Sequence, residues 1–418
     1  MHEGLVRVLL VNPATPYLRA PRMRPMLGIL YIAAAIREWA GVEPTLWDMN
    51  YSAEPPVEET DILMVTANTG TWRAACDARA RVRHQLSVVG GPHVTALGHQ
   101  PPFDVSIFGE GESVAAALVR DFPSKGPSRA PTSLPIDSIP WPAYDLWPEL
   151  AQESAVAAEG VEIGNGTAII TSRGCPYNCH FCASKRMWDG QVRLRNVDDV
   201  LAEVLHLRDH YGITRIILQD DTADLNKRRF TRLCRGLHDL GILWRAETRT
   251  DRVTLDELYM MKDCGCIEVG YGIESGSQRM LDLMGKKNDV ATNSRAIRWA
   301  NEVGIHSRAY LIVGFPGETW GSIHETLKFL RITQPHRAVV NSFVPYPGSA
   351  VWENPEAFNC SIQPPTDWED WRQQELSPDE GFPCSFPSMT REELLSARAL
   401  VQQECEQMFG SVDRRLET

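Results

Sequence analysis

The sequence predicts an α/β protein made of two strand–helix repeats in tandem, ending in a small C-terminal α-rich region. Three observations carry this. Short apolar runs alternate with stretches of helical spacing over residues 5–120, the pattern of a parallel sheet covered by helices. A second alternation of six units begins near Gly166. Between them lies a proline-rich stretch, with Pro123, Pro127, Pro131, Pro135, Pro140, Pro142 and Pro148. Such a stretch forms neither a long helix nor a central strand and reads as a semi-rigid linker. The expected division is residues 1–125, a linker over 126–165, residues 166–345, and a C-terminal domain over 346–418.

In the first repeat, Leu5–Val11 is an apolar strand stopped by the turn pair Asn12-Pro13. Met26–Trp39 has helical spacing, and Asp61–Thr66, Ser87–Val89 and Asp104–Phe108 read as further buried strands. The last of these runs into Gly109-Glu110-Gly111-Glu112. This is the layout of a doubly wound sheet, whose ligands bind beyond the carboxyl ends of the strands.

The second repeat starts with the strand Thr167–Thr171 and continues with Arg215–Gln219, Leu243–Thr248, Ile267–Gly272, Ser307–Val313 and Ala338–Phe343. Helical patterns separate them at Val197–Asp209, Lys227–Leu240, Leu255–Lys262, Ala291–Asn301 and Trp320–Leu330. After it come three tryptophans (Trp352, Trp368, Trp371) and a helix from Thr390 to Met408, opened by the capping box of Thr390 and Glu393. This tail closes the open side of the second repeat and offers itself equally as a wall of a substrate pocket.

A chain of 418 residues with net charge −12 and no basic block gives no non-specific grip on nucleic acid. The longest apolar stretch, Leu27–Ile36, is too short to span a bilayer. The start lacks the basic and small-residue features of a signal peptide, so the chain reads as cytoplasmic, where thiols stay reduced.

The chemistry centres on Thr-Ser-Arg-Gly-Cys175-Pro-Tyr-Asn-Cys179-His-Phe-Cys182, three cysteines in eight residues. Structural zinc prefers four ligands, usually in two pairs, and no second pair lies nearby. A disulfide would strand one thiol. An iron–sulfur cluster normally takes four thiolates, so three leave one iron open to an outside ligand. The loop resembles that of the radical S-adenosylmethionine (SAM) enzymes. The resemblance implies a [4Fe–4S] cluster on Cys175, Cys179 and Cys182, SAM chelating the open iron, and a 5′-deoxyadenosyl radical. It also implies a partial (β/α)6 barrel for the second repeat, with the chemistry at the carboxyl ends of its strands.

The same resemblance assigns further residues. Phe181 lies near the adenine, and Asp220 and Asp221 meet the SAM amino group in place of the family's Gly-Gly-Glu, with helix capping by Asp221 or Thr222 as the alternative. Arg249 faces the SAM carboxylate or makes a surface ion pair. Glu274 takes the ribose hydroxyls or caps a helix. The stretch Val313-Gly-Phe-Pro-Gly-Glu-Thr319 closes over the adenine. Tyr310, placed to face the barrel interior, offers a proton or relays a radical, or is simply packed. The remaining cysteines, Cys264 and Cys266 included, read as buried structural residues.

Residues 1–150 resemble the cobalamin-binding domain that precedes the barrel in one radical SAM subfamily. The resemblance rests on Arg24-Pro-Met-Leu-Gly-Ile-Leu-Tyr-Ile-Ala, Val89-Gly-Gly-Pro-His93, Gly109-Glu-Gly-Glu112 and Ser138-Ile-Pro-Trp-Pro-Ala-Tyr-Asp-Leu146. It implies a Rossmann-like domain holding cobalamin through Asn12, Thr66, Thr69, Gly70, Gly90, Gly91, Pro92, His93, Gly109 and Glu110. The Asp-x-His-x-x-Gly loop that places a histidine under cobalt is absent. The function implied is cobalamin-dependent methyl transfer to an unactivated carbon of a peptide or natural product, with a flavodoxin or ferredoxin as electron donor. Two alternatives stand beside it: a cobalamin-free dehydratase, deoxygenase or rearrangement enzyme acting on a small molecule, and a sensor without turnover. Intact cysteines argue against the sensor. One cysteine in the first domain argues against methylthiolation of tRNA.

Overall fold

The computed structural model describes residues 6–15, 26–123, 134–147, 165–363, 368, 371 and 382–409. Leu5, the Arg24-Pro25 start of one motif and the linker prolines Pro127, Pro131 and Pro148 lie outside the described residues.

Five parallel strands form the first sheet: β1 (Val8–Asn12), β2 (Thr45–Asp48), β3 (Ile62–Thr66), β4 (Leu86–Gly90) and β5 (Val105–Ile107), in the order β2-β1-β3-β4-β5. Successive side chains alternate between two apolar layers. Leu10, Met64 and Val88 pack with Leu30 of α1 (Leu27–Ala40) and Leu118 of α4 (Glu112–Arg120). Leu9, Leu63 and Val89 pack with Ala75 and Ala78 of α2 (Trp72–Arg81) and with Val94 of α3 (Pro92–Leu97). Strands buried on both faces read as continuous apolar runs, which is why periodicity found them. The edge strand β2 (Thr-Leu-Trp-Asp) is too short and mixed to stand out. The order reverses between β1 and β3, which opens a crevice at the carboxyl ends.

A second, six-stranded parallel sheet runs in chain order: β6 (Gly166–Ile169), β9 (Arg215–Leu218), β10 (Leu243–Thr248), β11 (Cys266–Glu274), β12 (His306–Val313) and β13 (Arg337–Ser342). Helices Val197–Tyr211, Lys227–Asp239, Leu255–Asp263, Val290–Val303 and Trp320–Thr333 alternate with the strands. A small antiparallel hairpin, β7 (Ser172–Arg173) with β8 (Arg193–Leu194), brackets the cysteine loop. A second pair, β14 (Ser361–Ile362) with β15 (Cys384–Ser385), precedes the final helix Arg391–Phe409, which packs on β13. Thr390 and Glu393 exchange the expected capping bonds at its start.

The motif around Trp141 straps the two sheets together. Ala143 N–H donates to Leu30 of α1, and Asp145 pairs with Arg37 at 2.6 Å. On the other side Tyr144 donates to the buried Glu203 at 2.5 Å, itself paired with Arg195 at 2.6 Å.

Candidate active site

The cysteine loop leaves the hairpin through Gly174, whose φ of 93° is a conformation that glycine tolerates. A Cβ there would stand 1.8 Å from the Gln191 carbonyl oxygen, so the hairpin closes only around a residue with no side chain. Cys175 and Cys179 are partly buried, Cys182 is exposed, and all three are free thiols. Cys175 Sγ lies 3.8 Å from the hydroxyl of Thr222, a buried residue.

Four residues hold the loop and the turn before it. Asp221 accepts from Ser184 Oγ at 2.9 Å, and also from the Gly174 N–H and Trp188, so one carboxylate ties both ends of the loop. Burial pushes its carboxyl above the usual range against those bonds. The second carboxylate of the pair, Asp220, turns the other way. It accepts from Thr171 N–H at 2.7 Å, Thr171 Oγ1 at 2.5 Å and Ser172 N–H at 3.0 Å, bracing the turn before the loop. Neither Asp221 nor Thr222 caps the next helix, whose N-cap is Asn226. His180 N–H donates to Met284 O at 2.8 Å, and its ring meets Leu283 O at 2.8 Å. Arg249 is buried rather than a surface ion pair. Its guanidinium lies 3.9 Å from the Tyr177 ring centroid, bonds Asp251 at 2.8 Å and donates to Lys286 O at 2.8 Å.

Glu274 ends β11 in a left-handed conformation (φ 61°), after a register shift against β12. It caps no helix; the helix after it has Ser277 at its N-cap. Its buried carboxylate pairs with Lys286 at 2.7 Å, and the same ammonium lies 5.8 Å from the ring centroid of Phe181 in the cysteine loop. Lys286 carried no motif, and only its place in the fold reveals it. Val313 ends β12, and the Gly-Phe-Pro-Gly turn behind it is held by Glu318, which accepts from the Gly314 N–H and from Ser322. Burial pushes the Glu318 carboxyl up to about 7. Tyr310 donates to Glu247 across β11 at 2.8 Å, and burial pushes its phenol up to about 12.

The first sheet meets this loop directly. Arg173 pairs with Glu110 at 2.5 Å and Glu112 at 2.6 Å, and Arg193 pairs with Glu110 at 2.6 Å. A pocket of about 150 Å³ opens at the carboxyl ends of β3, β4 and β5. Thr66, Gly90, Gly91, Gly109 and Glu110 line it from the first sheet, and Arg173, Met187 and Trp188 from the cysteine hairpin. Gly91 (φ 109°) lets the backbone pass Ala67, whose oxygen a Cβ would meet at 2.6 Å. Five residues expected beside it, Asn12, Thr69, Gly70, Pro92 and His93, are not part of its lining. Asn12 donates to Asp48 at 3.0 Å. Thr69 and Gly70 are buried in a short turn capped by Asn68. His93, next to Pro92, is buried between Trp72 and Trp368 with Nε2 unpartnered, and burial lowers its pKa to about 4.

Among the described residues no three ligating side chains are drawn together tightly enough for a single metal ion. Three free cysteines on one short loop instead suit a larger iron–sulfur cluster with one open iron. The comparisons agree. Residues 169–330 match the radical SAM superfamily model. An uncharacterised methyltransferase of Pyrococcus horikoshii is 32% identical over 375 residues, covering 81% of this chain and 80% of its own. The chain belongs to the radical SAM superfamily. Its place is among the methyltransferase-like members, and its cofactors are a [4Fe–4S] cluster and SAM. A cytidylyl-2-hydroxyethylphosphonate methyltransferase of Streptomyces wedmorensis is 26% identical over 76% of this chain and 75% of its own. An anaerobic magnesium-protoporphyrin IX monomethyl ester cyclase of Cereibacter sphaeroides is 29% identical over 71% of this chain and 53% of its own. Among solved structures, the radical SAM methyltransferase TsrM of Kitasatospora setae, with cobalamin and a [4Fe–4S] cluster bound, superposes with a TM-score of 0.68. It does so at 15% identity over 95% of this chain and 91% of that one, which shows a shared fold.

Proposed function

We propose that this radical SAM enzyme is a cobalamin-dependent methyltransferase acting on an unactivated carbon of a peptide or natural-product substrate. One observation carries the reading: the pocket at the carboxyl ends of β3–β5 takes its walls from both the first sheet and the cysteine hairpin. A cofactor seated there lies against the cluster loop, as a methyl donor must. In this reading residues 1–125 are a Rossmann-like cobalamin-binding domain, 166–345 a partial barrel, and 346–418 a closing domain. Thr66, Gly90, Gly91 and Gly109 lie against the nucleotide tail, where glycines allow close backbone approach. Cys175, Cys179 and Cys182 hold the cluster, while Asp221, Arg249, Glu274, Phe181 and Val313 surround SAM.

The cluster with SAM supplies the radical that takes hydrogen from the substrate, and the corrin supplies the methyl group. The protein's part is to hold both against the substrate and exclude water. A flavodoxin or ferredoxin is the proposed reductant. The sequence similarity to the cyclase favours a second reading, in which the barrel runs ring formation or another rearrangement without methyl transfer.

The test is corrin binding. The anaerobically reconstituted protein is loaded with hydroxocobalamin, desalted, and assayed for cobalt, iron and SAM cleavage. Near-stoichiometric cobalt, with substrate gaining the mass of one methylene, supports methyl transfer. Full iron and SAM cleavage without retained cobalt moves the protein to the second reading. Cys179→Ala should abolish 5′-deoxyadenosine formation while leaving the fold intact by circular dichroism.

A further inference from the structure

The inner face of the six-stranded sheet carries two groups of side-chain hydrogen bonds with fixed directions. In register, Arg245 lies beside Glu268 and Glu247 beside Gly270, while Arg308 and Tyr310 lie beside Gly270 and Gly272. In a parallel sheet these positions share one face. Arg245 and Arg308 both reach the buried Glu268 at 2.8 Å. Across β11, Tyr310 donates to Glu247 Oε1 at 2.8 Å. A guanidinium has donors and no acceptor. The two arginines therefore donate to Glu268, and the single proton of Tyr310 points to Glu247. The second group ends on a carboxylate that can only accept.

That end is half-buried. A Cβ on Gly270 would come within 2.9 Å of the Tyr310 ring and 3.1 Å of Glu247 Cγ, so the bridge crosses β11 only because that strand has no side chain there. Of the arginines of this face, Arg245 precedes Glu247 on β10 and Arg308 lies in register with it across Gly270, and both are paired with Glu268. Among the polar residues near the carboxyl ends of these strands, Gln219 is exposed and Glu247, Tyr310 and Asn341 are half-buried. Glu247 is the carboxylate among these four. Tyr310 is its one side-chain hydrogen-bond donor among the described residues, which leaves Oε2 without a side-chain donor.

We infer that Glu247 selects the substrate, and that the substrate presents it a hydrogen-bond donor, an ammonium or N–H group, rather than a carboxylate or phosphate. The inference rests on the proposed placement of substrate at the carboxyl ends of this sheet. Tyr310 acts through Glu247: it holds the carboxylate in place and keeps it an acceptor.

The experiment is equilibrium dialysis of the cluster-loaded, SAM-bound enzyme at millimolar concentrations of two probes of matched shape, phenethylammonium and 3-phenylpropionate. The wild type should retain the cation and not the anion. Glu247→Gln should weaken the cation roughly tenfold or more, the worth of a hydrogen bond to a charged group. Glu247→Asp and Tyr310→Phe should keep the preference for the cation, since both leave a carboxylate at that position. Retention of the anion, of both probes equally, or of neither by the wild type overturns the inference, as does unchanged cation binding by Glu247→Gln. A Glu247→Gln protein that loses iron or SAM binding also overturns it, because the residue then belongs to the cofactor site. Failure of the broader reading shows separately, as a wild type that does not cleave SAM or retain cobalt.

Discussion

Arg173 Nη2 and Glu112 Oε1 lie 2.6 Å apart with both side chains more than nine-tenths buried, joining residues 61 apart in sequence. Arg173 stands two residues before Cys175, and Glu112 opens α4 of the first sheet. The ion pair, doubled by Glu110, thus sets the cluster loop against the proposed corrin pocket. Removing one partner of a buried pair strands the other charge, at a cost of about 3–5 kcal/mol. Arg173→Met should therefore lower stability by about that much in urea denaturation and reduce retained iron. A variant with wild-type stability and iron would remove the clamp from the account.

Gly174 is the tightest position of the loop. With φ at 93° and a backbone oxygen 1.8 Å from any added Cβ, Gly174→Ala cannot be absorbed by moving a side chain. The expected result is protein that fails to retain iron after reconstitution. Gly321→Ala, in a helix where the nearest atom to the new Cβ is 3.6 Å away, is the matched control. It should leave iron content unchanged and stabilise the fold by up to about 1 kcal/mol.

The sequence was legible where local pattern decides the outcome. The helices expected at Met26–Trp39 and Val197–Asp209 form as Leu27–Ala40 and Val197–Tyr211, and the strand Leu243–Thr248 forms with those bounds. The cysteine loop was legible for the same reason, since three ligands in eight residues need no tertiary information. What stayed hidden depends on partners distant in the chain. Nothing near Lys286 in sequence marks it as the partner of Glu274. Nothing near Glu110 marks it as an arginine's partner as well as a pocket wall. Asp220 and Asp221 are adjacent and alike in sequence, yet one braces a turn and the other ties the loop, because successive residues at a strand end point to opposite sides.

Lys286 and Glu274 form a second buried pair, at 2.7 Å. Lys286→Met leaves an ionised Glu274 in a site built for a pair and should cost about 3–5 kcal/mol. Glu274→Gln in the same protein should recover part of that loss, giving a coupling of roughly 1 kcal/mol or more in a double-mutant cycle. If Glu274 also receives the ribose hydroxyls of SAM, each single variant weakens SAM in equilibrium dialysis. Additive stabilities would show that the pair is not coupled, and unchanged SAM binding would take Glu274 out of the cofactor site.

Glu318 makes stability depend on pH in a direction opposite to that of an ordinary ion-paired carboxylate. Its carboxyl is raised by burial from 4.5 to about 7 in the folded protein. Between those two values the folded chain holds a proton that the unfolded chain has already released. The unfolded state therefore gains on the folded one as pH rises through that window. The full effect, about 3 kcal/mol at most from a shift of this size, is reached above the folded value and absent below the unfolded one. Glu318→Gln keeps an oxygen for the Gly314 N–H and Ser322 without an ionisable proton. Relative to that variant, the wild type should lose stability from about pH 5 to about pH 8 in urea denaturation. Parallel curves for the two proteins would mean that Glu318 is ionised in the fold, and that the turn after β12 accommodates a charge the geometry leaves without a cationic partner.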